Sequence, residues 1–483
     1  MSDHVIDALA NILDPSGILV SQGDMASHLL GPRGSFQGRA LAVVKPKLLE
    51  EVVSIVRISN EFCVPIVTQG GNTGLVGGQI PDQSGNQILL SLEQLDKIRE
   101  IDTRSNTITV EAGTRLKVVQ DVAKSVGKLF PLGLFSDCTI GGNISTDAGG
   151  SMALAYGNAG RMVSGLEVVL PDGTVWNGLT KPGGKGAGCD LNRLFIGTEG
   201  VFGIITAAVL SLFPSFTARI AAFCGLSCPS MAVELLDCAR GEFGKQLVSF
   251  ELLPKTSITM VRNHVLGHDI QLDLDHSWYV LLEVASTRSG GGRDFASAGG
   301  DPTILLRDRV LIFLNDAKSV GTVSHVVVAN SAEESDRLWL IRTSVPAAQS
   351  RAGVSIKHDV IVPVVNVPRL IREGCEAAEA IVPGIRPVPF GHLGTGNIHF
   401  NFSQPEDMDG IVFRRYGDQV SEMLYDLVLD LGGSVFAEHG IGRKKLNLAR
   451  KIIPHVELEI LRGIKLSMDP NGILNRDSFL PIS

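Results

Sequence analysis

The sequence predicts an α+β protein of several domains, and three observations carry that reading. Strands alternate with amphipathic helices up to about residue 215, β-type runs mix with long helical stretches after it, and helical periodicity dominates from Asp409 onward. At 483 residues the chain has room for roughly two to four domains of about 150 residues each. We expect units spanning 1–215, 216–408 and 409–483.

Each element rests on a local pattern. Residues 39–46 (RALAVVKP) read as a strand, and Leu49, Val52, Val53 and Val56 then recur as one apolar helical face. The next strand, CVPIVTQ, runs directly into GGNTGLVGG and completes a β-α-β opening. Strands follow at ILLSL (88–92), TITVEAG (107–113) and GLEVVLPDGTVW (165–176), with a helix of Leu116, Val119, Val122 and Ala123 among them. Phe213-Pro214 closes this part. Beyond it HSWYVLLEV (276–284) is a strand, and STRSGGGRDFASAGGDP (286–302) is expected to be a mobile surface loop. The tail is helical, interrupted by GGSVFAEHGIG and closed by MDPNGILNRDSFLP.

Composition excludes several classes of function. With 44% hydrophobic and 19% charged residues and a mean hydropathy of +0.21, the chain can bury sizeable cores and is not disordered. Forty-three basic against 51 acidic side chains leave a net charge of -8, which weighs against a nucleic-acid partner. The seven cysteines are odd in number and dispersed, so we read them as reduced thiols. The N-terminus, MSDHVIDALANILD, has early acids and no basic n-region, and no run of about 18 apolar residues occurs, so a cytoplasmic protein is expected.

Glycine is the outlier at 54 of 483 residues, about 11% against a usual ~7%. Gly70, Gly71, Gly74, Gly77 and Gly78 fall directly after a strand, where missing side chains let backbone amides cradle a pyrophosphate. The spacing matches neither GxGxxG before a helix nor GxxxxGK[ST], so Rossmann and P-loop folds are both disfavoured. A purely structural turn is the alternative. A second cluster, SDCTIGGNISTDAGGSMALAYGNAGR (136–161), and a third, IGTEGVFGIIT (196–206), offer further walls for one long cofactor.

Polar residues then gather in two apolar, glycine-flanked segments. PFGHLGTGNIHFNF (389–402) reads as a hairpin bringing His392 and His399 together, with Asn401 on the same strand face as His399. VFAEHGIG (435–442) adds Glu438 and His439. Two imidazoles and a carboxylate make an open metal site, and burying these groups without a ligand would be costly. Zinc is the first choice, while manganese or iron tolerates the same donors. WLIRTSVPAAQSRAGVSIKHD (339–359) places Arg342 and Lys357 among apolar neighbours, where they can hold an anionic substrate; solvated surface charge is the alternative.

In their order along the chain, these segments resemble the FAD-linked D-2-hydroxyacid dehydrogenases, the D-lactate and D-2-hydroxyglutarate dehydrogenase branch of the vanillyl-alcohol oxidase flavoprotein superfamily. The likeness covers nearly the whole chain. It implies a two-subdomain FAD-binding domain of the vanillyl-alcohol oxidase type, an α+β substrate domain with an antiparallel sheet and the metal hairpin, and a helical C-terminal region completing the site. The implied cofactor set is Gly70, Gly71, Asn72, Thr73, Gly74, Gly77, Gly78, Ser136, Thr139, Gly141, Gly142, Asn143, Thr146, Gly149, Gly150, Gly200, Ile205 and Asn475. Asn72 stands where some members attach FAD through histidine, so a non-covalent flavin is implied. His392, His399 and Glu438 match metal ligands, His439 the base, and Arg342, Lys357 and Asn401 substrate contacts. The chain departs from the family pattern at Asp147, Arg476 and Pro346, where Asn, Pro and a substrate-contacting Thr are usual.

The expected reaction is oxidation of a small anionic D-2-hydroxy acid, of the D-2-hydroxyglutarate, D-malate or D-lactate class, to its 2-oxo acid. His439 takes the hydroxyl proton, and hydride passes to the flavin. An electron-transfer flavoprotein, quinone or cytochrome is the expected acceptor, and a homodimer is a further candidate assembly. The competing readings are a non-redox flavoenzyme of the ether-lipid synthase type, a flavin-free metal hydrolase and a non-catalytic nucleotide-binding regulator.

Overall fold

The computed structural model describes residues 2–34, 36–134, 137–180, 188–267, 275–287, 301–476 and 478–479. Most of the Gly/Ser-rich segment expected to be a surface loop, and Ser136, lie outside them.

Among the described residues the strands form three larger sheets and one two-stranded ribbon. The first sheet runs in the order Ile18–Leu19, Ala42–Val44, Ile88–Ser91, Ile66–Gln69, with parallel pairing between the last three. Its inner strands are continuous apolar runs because they are covered on both faces. The helix Leu49–Glu61 packs there through Val52, Ile55, Val56 and Ser59, one helical stripe, and the Glu51 carboxylate accepts the Leu48 backbone N–H at 3.2 Å to cap it. The second sheet is antiparallel, ordered Ile98–Asp102, Thr107–Glu111, Ile204–Ser211, Val163–Val169, Val175–Gly178. The glycine loops leave the ends of these two sheets and meet between them.

The third sheet is antiparallel and holds eight strands. Its central strands, Phe216–Leu226, Trp278–Thr287 and Leu247–Pro254, are almost wholly buried. Helices Pro229–Phe243, Pro302–Ser319, Val367–Ile381 and Gly417–Asp430 supply the side chains that close one face. Helices Lys255–Val261 and Ala332–Arg351 cover the opposite face through Ile258, Val261, Trp339, Ile341 and Val345, so an antiparallel sheet lies between helices in an α+β arrangement. The hairpin of Arg386–His392 and Asn397–Ser403 continues this sheet, and the chain near Ser434 bridges to Ile361 along its edge. That bridge delivers the Glu438-His439 segment to the hairpin.

The C-terminal segment returns to the first two sheets. Leu474 bridges to Ile66, and the Asn475 side chain donates to the Glu199 carbonyl and accepts the Thr68 N–H at 3.0 Å. No helix among the described residues is long and apolar enough to cross a membrane.

Candidate active site

The glycine loops line one cavity of about 600 Å³. Its wall includes Gly70, Gly71, Asn72, Thr73, Gly74, Gly78, Thr139, Gly141, Gly142, Asn143, Thr146, Gly149, Gly200, Ile205 and Asn475. The absence of side chains is required at several points: a Cβ on Gly70 would stand 2.3 Å from Thr139 Oγ1, and one on Gly200, at φ +75°, 2.7 Å from Thr68 Oγ1. Gly77 and Gly150 do not line this cavity. Both have positive φ, and a Cβ there would meet the Phe36 ring and the Gly133 carbonyl, so they shape turns behind the wall. Asp147, at φ +46°, accepts the Gly160 N–H at 2.8 Å and so stabilises the second loop.

Thr139 Oγ1 and Asn143 Nδ2 are buried on this wall with no hydrogen-bond partner among the described residues. An orphaned buried polar atom costs about 1–3 kcal/mol, so two of them facing one cavity fit a polar ligand such as a dinucleotide.

Glu438 and His439 line the same cavity. Glu438 Oε2 lies 3.6 Å from His392 Nε2, and Oε1 lies 3.4 Å from His399 Nε2. Gly149 leaves room for that carboxylate, since a Cβ there would stand 2.9 Å from Glu438 Oε2. The hairpin explains the histidines: His392 is paired with Asn397 and His399 with Phe390, so the imidazoles are diagonal neighbours on one face, with ring centroids 5.4 Å apart.

Two acids that sequence reasoning missed orient these rings from behind. Asp359 Oδ1 lies 3.5 Å from His399 Nδ1 and accepts the Asn397 amide at 2.8 Å. Asp359 Oδ2 accepts the His439 backbone N–H at 2.8 Å and lies 3.2 Å from His439 Nδ1. Glu251, in the strand Leu247–Pro254, lies 2.5 Å from His392 Nδ1. Each carboxylate favours a proton on Nδ1 and turns Nε2 toward Glu438. Asp359, His399, Glu438 and His439 form a group whose ligand atoms all lie within 4.8 Å of one another, a set that adds Asp359 and His439 to the predicted ligands His399 and Glu438 and does not include His392. The donor set of imidazoles and carboxylates fits a divalent cation.

Electrostatics follow burial and pairing. Burial opposes a charged His392, yet Glu251 and Glu438 override it and raise the imidazole to about 10. Burial likewise opposes the Glu251 and Glu438 anions; His392 and Arg342 hold the first down to about 2, and His392 with His399 does the same for the second. For His439, burial outweighs its acidic neighbours and lowers the imidazole below its ordinary value, favouring the neutral form that accepts a proton.

The predicted substrate contacts are placed unevenly. Arg342 is buried at 8% exposure, not a solvated charge, and its Nε donates to Glu251 Oε2 at 2.7 Å. Lys357 is half-buried between the strands Ser355–Ile356 and Val360–Ile361. Asn401 does not aim its amide at the histidines: Nδ2 donates to Gln349 Oε1 at 2.9 Å, and Oδ1 accepts the His358 N–H at 3.2 Å. Pro346 lies inside the helix Ala332–Arg351, where it has no N–H for the Arg342 carbonyl.

Glu199, also missed, joins the two halves. This buried carboxylate accepts the backbone N–H of Ile441 at 2.7 Å and of Gly442 at 2.9 Å, next to the Glu438-His439 pair, and its own residue lines the cavity. Replacing Glu199 by Ala would strand both amides and is expected to cost about 1–3 kcal/mol, checked by thermal unfolding. His358 carries a second expectation. Burial, only partly offset by the Phe400 carbonyl, lowers its imidazole to about 3. Its neutral form stabilises the fold fully above about 6.5, and that contribution declines as pH falls toward about 3, by at most about 1.4 kcal/mol per pH unit. His358→Gln should flatten the denaturation midpoint against pH across that window.

The comparisons with known proteins agree with this geometry. A family model for an FAD binding domain matches residues 40–178, and one for the C-terminal domain of FAD linked oxidases matches 217–478. The D-2-hydroxyglutarate dehydrogenase of Danio rerio is 31% identical over 92% of this chain and 79% of its own length. The chain belongs to the FAD-linked D-2-hydroxyacid dehydrogenase family. Other members similar to it include the D-2-hydroxyglutarate dehydrogenase of Xanthomonas citri pv. viticola, at 32% identity over 90% of this chain and 88% of that one. A D-2-hydroxyglutarate–pyruvate transhydrogenase of Saccharomyces cerevisiae is 30% identical over 96% and 92%. Among solved structures, p-cresol methylhydroxylase superposes with a TM-score of 0.73 at 18% identity, covering 98% of this chain and 95% of its own. Alkyldihydroxyacetonephosphate synthase gives 0.72 at 15%, covering 98% and 85%. Both show the vanillyl-alcohol oxidase-type fold alone. As a family member the chain is an FAD-linked oxidoreductase, and the flavin-free hydrolase reading falls with the FAD-binding domain match.

Proposed function

We propose that this enzyme oxidises a D-2-hydroxy acid, with D-2-hydroxyglutarate as the first substrate to try, to the 2-oxo acid. One observation carries the reading: Glu438 and His439 line the glycine-loop cavity while Glu438 faces both hairpin histidines. Chemistry at the cation site and chemistry in the nucleotide cavity therefore share a wall. The names of the sequence relatives supply the substrate class.

When bound, FAD supplies the hydride acceptor and a divalent ion supplies Lewis acidity. His392, His399 and Glu438 would hold that ion, zinc being our first choice, with Glu251 and Asp359 orienting the imidazoles. His439 Nε2 takes the hydroxyl proton, because the Asp359 carboxylate near Nδ1 keeps the other proton in place. Arg342 and Lys357 attract the distal carboxylate of a diacid. D-malate and D-lactate are shorter alternatives, and the electron acceptor we favour is an electron-transfer flavoprotein, quinone or cytochrome. An anaerobic screen of D- and L-2-hydroxy acids tests this reading by bleaching of flavin absorbance. D-2-hydroxyglutarate should bleach it and the L-enantiomer should not. A flavin left unreduced by every D-acid would overturn the assignment.

A further inference from the structure

The strand Leu247–Pro254 is apolar apart from Ser249 and one carboxylate, Glu251, whose two oxygens serve different partners. Oε1 lies 2.5 Å from His392 Nδ1, and Oε2 accepts from Arg342 Nε at 2.7 Å. All three groups are nearly sealed from solvent: the side chains of Glu251, Arg342 and His392 are 1%, 9% and 13% exposed. An ion buried that deeply costs several kcal/mol unless its partners have excellent geometry, so breaking either contact leaves an uncompensated charge. Arg342 is fixed from a second side, with Cζ 4.8 Å from the centroid of the Phe390 ring. Phe390 is the residue paired with His399 in the hairpin.

The consequence lies in what each partner has left to offer. Arginine presents N–H donors along more than one edge, so spending Nε on Glu251 leaves the terminal nitrogens for another carboxylate. Histidine has two ring nitrogens, so committing Nδ1 to Glu251 leaves Nε2 facing Glu438 at 3.6 Å. One buried carboxylate thus fixes which edge of the guanidinium and which nitrogen of the imidazole stay open to other partners.

We propose that Glu251 is a positioning residue coupling the anion-binding edge of Arg342 to the cation-facing nitrogen of His392, which suits the site to 2-hydroxy acids carrying a second, distal carboxylate. This inference rests on the dehydrogenase reading above. Coupling is reciprocal, so the change that loosens one partner loosens the other.

The test uses the flavin-loaded enzyme and the nearly isosteric substitution Glu251→Gln. Zinc retention is measured by competition with a chelator, and kcat/KM at saturating zinc is compared for D-2-hydroxyglutarate and D-2-hydroxyvalerate, which carries a methyl where the diacid has its distal carboxylate. Zinc affinity should fall about 10–100-fold. The preference for the diacid should fall about fivefold or more. Should that variant fail to fold, Arg342→Lys gives the same answer, since it keeps the charge but not the planar fork. It should weaken zinc retention by about fivefold, although Arg342 is not among the proposed ligands. Unchanged zinc affinity in either variant, or an unchanged diacid preference in Glu251→Gln, overturns the coupling. If neither acid bleaches the flavin of the unaltered enzyme, the dehydrogenase reading falls, and the substrate half of the coupling falls with it.

Discussion

Replacing His439 by Ala is expected to lower turnover by roughly 10²–10⁴-fold while the flavin stays bound. Its imidazole is 32% exposed, whereas the carboxylates on either side of it are 4% and 16% exposed. The ring therefore reaches the cavity that the acids only frame. Nδ1 is held against Asp359, and desolvation by the surrounding protein lowers the imidazole below its ordinary value despite its acidic neighbours, which favours a neutral ring whose Nε2, 3.7 Å from Glu438 Oε1, is placed to accept a proton. His439 is one lining residue among many and the glycine loops are untouched by the change, so flavin content in the variant should match that of the unaltered enzyme. Near-normal turnover would show that another group takes the proton. Asp359→Asn should reproduce part of the loss, because an amide in place of the carboxylate weakens the preference for a proton on Nδ1.

Lys465→Met is expected to destabilise the fold by about 3–5 kcal/mol, the largest stability effect we foresee for a single side chain. Lys465 and Asp469 are each 1% exposed as side chains and form an ion pair at 2.6 Å. The ammonium also donates to the carbonyls of Val201 and Leu474, at 2.7 and 2.9 Å, and Asp469 accepts the N–H groups of Ile473 and Leu474. This knot ties the helix His455–Met468 to the glycine loop at 200 and sets Leu474 and Asn475 against the first sheet. Methionine reproduces the unbranched stem as far as Cε but lacks the ammonium, leaving the Asp469 charge buried and uncompensated. Chemical denaturation of the two proteins would show the difference, and a midpoint shift worth less than about 1 kcal/mol would contradict it.

Local patterns disclosed the hairpin and the glycine loops because both depend on neighbours in sequence. His392 and His399 flank one tight turn, so their meeting follows from strand pairing alone. The carboxylates behind them were invisible for the opposite reason. Glu251 lies 141 residues before His392 and Asp359 lies 80 before His439, and nothing local marks a long-range partner. Faint signals existed. A lone acid within the eight-residue apolar strand LVSFELLP is costly unless paired, and Asp359 closes the segment whose cations drew attention first. Asn401 shows the limit of alternation as a guide. Sharing a strand with His399 fixed its side of the sheet, but Gln349 on a neighbouring helix took up its amide.

On the proposed function, an alcohol carbon is oxidised where the glycine-loop cavity meets the Glu438-His439 pair. Anaerobic flavin reduction by D-2-hydroxyglutarate, with hydrogen or deuterium at C2, tests it most directly. Bleaching should slow on deuteration and be lost together with His439. Bleaching equally fast with both isotopologues, and undiminished in His439→Ala, would contradict it.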